Sequence, residues 1–174
     1  MKKKDKAFTP STAFQYVCTH SLDERTEKAE LLEPIIAQDC MYSYEYAKDI
    51  LQGRFELGEP QILKSEGFAV SYATHVLKRR WPEAEPMISK HSRAAYQYAR
   101  DVIGGRWIEG EAAISSDLDA ADWYIMNVIE HNPHCLDYYE MCFRKNTVDF
   151  HRLPQWMQDT PDIQTAYFKA TVLK

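Results

Sequence analysis

Apolar positions along this chain recur on two scales. Between residues 95 and 106, Ala95, Ala99, Val102 and Ile103 fall on one side at spacings of three and four, with Gln97, Arg100 and Asp101 on the other. That spacing predicts an amphipathic helix. On the longer scale the whole pattern returns every 26 residues, as the column Tyr46, Tyr72, Tyr98 and Tyr124 shows. Ala47, Ala73 and Ala99 form the next column, and Ile50, Val76, Val102 and Val128 another. Phe55, Trp81 and Trp107 recur in the same way, as do Ile62, Ile88 and Ile114. Residues 43–62 and 95–114 are identical at nine of twenty positions. Self-similarity at a fixed period of this length is the mark of a stacked array of small structural units.

Each unit reads as a helix, a tight turn, a shorter helix and a link. Gly104 and Gly105, and Gly53 in the earlier copy, are expected to stop the first helix, because glycine accepts the left-handed conformation found at helix ends. Pro82 after Trp81 is expected to open the second helix, with Glu83 and Glu85 favoured at its positive end. The glycines of this segment resemble a phosphate loop only superficially, since no strand precedes them and no lysine follows at the helix start.

The termini carry looser copies. Glu33, Pro34 and Ile36 lie one period before Glu59, Pro60 and Ile62, and the stretch 166–170 echoes 95–99. A hairpin of this size cannot cover its own apolar side, so it must bury it on a neighbour. The expected fold is therefore all-α, an α-solenoid of about six short helix-turn-helix repeats with irregular terminal caps. It would form a single domain over residues 11–174, after a flexible tail at residues 1–10.

The recurring YAxDVIxGRWxExE unit resembles an imperfect helical repeat found in proteins of tailed bacteriophages. The match is close over residues 43–129 and departs from the pattern at His75, where the other units have Asp49 and Asp101, and at Pro133, which occupies the tryptophan column. The resemblance implies a helical-repeat protein, phage-encoded and acting on a host component. It implies no catalytic residues.

Composition narrows the function. The chain has 174 residues, 45% hydrophobic and 27% charged, enough for a core without metal or disulfide support. A formal charge of −5 argues against a dedicated nucleic-acid binder, which needs a surplus of lysine and arginine on one face. No run is long and apolar enough to span a bilayer, and the lysines at the start are followed by no apolar signal core. Cys18, Cys40, Cys135 and Cys142 form no CxxC pair, which suits free thiols in the cytoplasm. No cofactor is expected.

Three polar groupings could carry function. Arg54, Arg80 and Arg106, recurring opposite Glu59, Glu85 and Glu111, could grip an anionic partner, or each could pair with a carboxylate and cover the neighbouring aromatic. A feature present in every unit usually serves the stacking that every unit shares, which favours the second role. Gln52, Lys78 and Gln97 vary between copies, as a binding surface would, and with the arginines they make the candidate contact set for a protein partner. The alternative is a small enzyme or a metal- or ligand-binding site within residues 131–156, where His131, His134, Cys135 and Cys142 gather and the repeat breaks down. Asp117 reads as an N-cap rather than a catalytic carboxylate. The reading that results is a non-catalytic binding protein offering an extended surface to a protein, in the manner of an inhibitor or modulator of a host factor or defence system.

Overall fold

The computed structural model describes residues 7–172, and among them all regular structure is helical, with no strand. The chain forms two compact units, Met1–Ala84 and Glu85–Lys174. Residues 1–6, the lysine-rich part of the expected tail, lie outside the described residues. Pro10 already opens the first helix, with Thr9 capping it.

The first unit contains α1 (Pro10–Thr19), α2 (Leu22–Ile36), α3 (Cys40–Glu45), α4 (Glu59–Ile62) and α5 (Glu66–Tyr72). The second contains α6 (Glu85–Ile88), α7 (Ser92–Tyr98), α8 (Ile108–Ile114), α9 (Leu118–Asn127), α10 (Leu136–Lys145), α11 (Gln155–Gln158) and α12 (Pro161–Val172). A 3-10 turn, Phe150–Arg152, precedes α11. Within the first unit α3 packs on its hairpin partner α4 and on α5; within the second, α7 packs on α8 and on α9.

Small side chains make this packing close. Ser43, Ala69, Ala95 and Ala121 occupy one column of the repeat and are fully buried, as are Ala47, Ala73 and Ala99 four residues on. Tyr46, Tyr72, Tyr98 and Tyr124 are buried beside them, and so are Phe55, Trp81 and Trp107. Each tyrosine ring lies about 5 Å from the aromatic of its own copy: 5.0 Å for Tyr46–Phe55, 5.1 Å for Tyr72–Trp81 and 5.1 Å for Tyr98–Trp107. Ile62, Ile88 and Ile114 complete the core with no exposure.

Two expectations about the hairpin need correction. The first helices do not end as α-helices but widen into π turns, at Tyr46–Leu51, Ala73–Leu77 and Ala99–Ile103. A single alanine carbonyl then serves two donors: Ala47 accepts from Gln52 and Gly53, Ala73 from Lys78 and Arg79, and Ala99 from Gly104 and Gly105. The residues that turn left-handed are Gln52, Lys78 and Gly104, at φ of 51°, 53° and 70°. Gly53 and Gly105 lie one position past the bend and do not supply it. Glu130, one period further, has φ 48°, so the turn persists where the sequence repeat has faded. The second correction concerns Pro82, which lies in a turn; the second helix of that copy begins only at Glu85.

A non-glycine side chain in the left-handed region costs on the order of 1 kcal/mol. Gln52→Gly and Lys78→Gly are therefore expected to leave stability level or raise it by about 0.5 kcal/mol, once the extra freedom of the unfolded glycine is counted. Gly104→Ala has open space around its Cβ but meets the same φ, and is expected to lose about 1 kcal/mol. Urea unfolding midpoints of the three variants test this, and equal losses in all three would contradict it.

Candidate functional site

Glu59 and Glu111 turn inward, and Arg54 and Arg106 close over them from the surface side. Arg54 donates from Nε and a terminal nitrogen to Glu59, at 2.6 and 2.9 Å, and Arg106 does the same to Glu111 at the same distances. The Tyr72 hydroxyl donates to Glu59 at 3.1 Å and accepts from the Phe55 backbone N–H at 2.8 Å. Tyr124 repeats both bonds with Glu111 and the Trp107 N–H, at 3.1 and 2.8 Å. Tyr46 donates to Glu33 and Tyr98 to Glu85, both at 2.9 Å. Every tyrosine of the column thus bonds the glutamate thirteen residues before it. Burial raises the Tyr72 and Tyr124 hydroxyls well above the ordinary phenol range. They act as fixed donors.

Arg106 also reaches Asp137 at the start of α10, and this second contact holds the Asp137 carboxyl below the usual carboxylate range. Arg80 is exposed, and it too has an interaction partner. Arg54 and Arg106 are therefore structural ties within their own hairpins, each holding the glutamate that the tyrosine of the next hairpin also bonds, and Arg106 alone reaches further, to Asp137.

The outward faces of the first helices differ from copy to copy. In the first unit the Tyr44 hydroxyl lies 3.1 Å from His75 Nδ1, and the Lys48 ammonium sits 5.6 Å over the Tyr44 ring. Gln52 and Lys78, two of the candidate contact residues, line a cleft of about 310 Å³ with Lys48 and His75. In the second unit Asn127 and Arg100 both donate to the Tyr96 hydroxyl, at 3.4 and 3.0 Å, and Arg100 forks onto Asp101 at 2.6 and 2.8 Å. Trp123 is 40% exposed, with Tyr96 at 5.8 Å and the Arg93 guanidinium at 6.0 Å. Gln97 is exposed on the neighbouring turn. This strip pre-arranges tryptophan, tyrosine and arginine, the residue types that dominate binding energy at protein interfaces.

The C-terminal alternative is only partly assembled. Among the described residues no group of three His, Cys, Asp or Glu side chains could hold a metal ion. Cys135 and Cys142 are buried, His134 is exposed and His131 is half-buried. Burial raises the Cys135 thiol and pushes Cys142 up to about 11, which opposes the thiolate a nucleophile needs. In a native thiol titration at neutral pH, Cys18 is expected to react first and Cys40 more slowly, with Cys135 and Cys142 silent until denaturant is added. Rapid labelling of all four thiols would contradict that order.

What the region does build is a cleft of about 370 Å³ between α9, the Phe150–Arg152 turn and α12. His131 is part of its lining, whereas His134, Cys135 and Cys142 are not. Sequence reasoning missed the rest, including Asp122 and Tyr167, because the elements that meet there are far apart in the chain. It also missed Lys145, whose ammonium donates to the Ala112 carbonyl at 2.8 Å and to Ser115 and Ser116 at 2.9 Å. A lysine at the end of α8 neutralises the last carbonyls of that helix. Ser115 is fully buried, so the pair serves as a cap rather than as a nucleophile and base.

Compared with protein families, curated proteins and solved structures, the chain matches none. No helix among the described residues is long and apolar enough to cross a membrane.

Proposed function

We propose that this chain is a non-catalytic binding protein, an α-solenoid of about six hairpins that offers the outer face of its first helices to a protein partner. One observation carries the reading: the tyrosines and aromatics that recur are buried and tied to the recurring glutamates, while the residues that vary from copy to copy stand on the outer face. The tyrosine and glutamate columns bond one another across neighbouring hairpins, and Arg54 and Arg106 grip the same glutamates within their own hairpin. The outer columns read Lys48, Thr74, Arg100, Met126 and Glu45, Ser71, Gln97, Trp123, with no residue repeated. A scaffold that keeps its joints constant and changes its surface suits recognition of one particular partner. The resemblance to phage repeat proteins supports a partner in an infected cell, a host factor or a component of its defence.

Trp123 and Arg100 are the anchors of this surface, with Gln97 beside them. Truncating an exposed aromatic or arginine anchor commonly weakens an interface by about 2 kcal/mol or more, roughly thirtyfold in affinity. The deciding experiment is affinity capture from host lysate with the native chain and with Trp123→Ala and Arg100→Ala variants. A stoichiometric protein retained by the native chain and lost from both variants upholds the reading. Failure to retain any stoichiometric protein, or equal retention by all three, overturns it.

A further inference from the structure

The cleft beside α9 has a chemistry separate from the surface just described. Its lining includes three aromatic rings, Phe143, Phe150 and Tyr167, with Phe150 and Tyr167 stacked at 4.6 Å and 15° and Phe143 meeting Tyr167 edge-on at 5.4 Å. Apolar side chains from α9, among them Leu118 and Met126, form the opposite wall, and both remain more than half exposed, at 62% and 59%. A cavity of about 370 Å³ is at the small end of the range for ligand pockets.

Asp122 stands on that apolar wall, between Leu118 and Met126 on the same face of α9. Among the described residues it takes part in no hydrogen bond or close ion pair, and its charged neighbours act only at longer range: Arg152 favours the ionised form and Asp119 opposes it. Arg152 is drawn instead toward Asp149, at 4.0 Å. The lining therefore holds two carboxylates, Asp122 and Asp149, against one guanidinium, with the His131 ring beside them. One carboxylate is left without a matching guanidinium, on an α9 wall whose other members, Leu118, Ile125 and Met126, are apolar. Partial burial against this wall holds the Asp122 carboxyl above the ordinary carboxylate range.

We infer that this cleft binds an organic cation, an ammonium or guanidinium group carried on a short apolar chain, with Asp122 as its counter-ion and the Phe143–Phe150–Tyr167 cluster as its apolar seat. Aromatic rings attract such cations and cover their alkyl portion, and a carboxylate adds a charge-assisted hydrogen bond. A carboxylate ligand of the same shape would meet Asp122 and be repelled. A neutral alcohol would fill the space and leave the charge unpaired. The same chemistry can arrive as a free amine or as a lysine side chain of a partner.

The test is ligand-observed NMR titration of the full chain with four probes: butylammonium, butanol, butyrate and Nα-acetyl-lysine methylamide. Butylammonium is expected to bind at least tenfold more tightly than butanol, with no binding of butyrate. Asp122→Asn should remove that preference, and Arg152→Gln should strengthen it by taking away the competing cation. Asp122 is exposed at the helix surface, so neither change disturbs the core. Tighter binding of the lysine derivative assigns the cleft to a partner's side chain, and tighter binding of the simple amine assigns it to a free ligand; both uphold the cation site. Equal binding of butanol and butylammonium, an unchanged preference in Asp122→Asn, or no binding of either cation overturns it.

Discussion

Glu111→Ala is expected to lower the stability of the protein by about 3 kcal/mol, with a clear fall in the urea midpoint. The carboxylate is 2% exposed and receives three hydrogen bonds, two from Arg106 and one from Tyr124. Removing it leaves a buried phenol without its acceptor and a guanidinium deprived of one of its two carboxylates. Breaking a buried ion pair from one side costs about 3–5 kcal/mol. The Arg106 side chain is 28% exposed and keeps Asp137, which places the loss at the lower end of that range. Glu59→Ala in the sister copy removes the same three bonds from a wetter site, where the arginine side chain is 43% exposed, and should cost about half as much. If the two variants lost equally little, the network would be ornamental and the inward reading of these columns would fall.

Gly110→Ala is the second large effect, a loss of about 2 kcal/mol from a single added methyl group. Its Cβ would stand 2.6 Å from Trp107 Cε3 and 3.1 Å from Ala95 Cβ. Neither neighbour has room to retreat, since both are buried. Overpacking of this kind costs about 1–3 kcal/mol. Ala84 occupies the same column in the preceding copy and is fully buried without glycine. The reverse change, Ala84→Gly, should therefore also destabilise, by about 1 kcal/mol, through a lost methyl contact and a freer unfolded chain. Thermal melts of the two variants compare them directly. A neutral Gly110→Ala would mean that α7 and α8 are less tightly joined than their small residues imply.

Much of the hairpin was legible in the sequence because burial and repetition coincide. The tyrosine, alanine, aromatic and isoleucine columns are core positions, and each is apolar in every copy over residues 46–114. Asp117 caps α9 as its place before an alanine-rich helix suggested, accepting from the Ala120 N–H at 2.9 Å. The π turns were not legible: the residues that form them are those an ordinary helix would use, and the choice is made by where the two N–H groups past the alanine find an acceptor. The bend was misplaced by one residue because glycine marks it only at Gly104, while Gln52, Lys78 and Glu130 adopt it without glycine's help.

The surface was harder to read. Gln52 and Lys78 were found by their variation, and they do meet in one cleft, but Arg54 and Arg106 were conspicuous for a structural reason. Asp122 and Trp123 sit inside the tyrosine-bearing helix of a fading copy; Trp123 continues the varying column of Gln97, but nothing in the spacing sets Asp122 apart. Asp137, which completes the Arg106 contacts, lies beyond the last regular unit.

The thirteen-residue step from glutamate to tyrosine is half the period, so each bond joins the closing helix of one copy to the opening helix of the next. A gene lengthened by half a copy would set tyrosine beside tyrosine and glutamate beside glutamate, with every joint mismatched. Lengthening by a whole copy, cut at any point, regenerates the pairing at both seams. Growth and loss in such a lineage are thereby confined to complete increments, whatever the outward residues come to recognise.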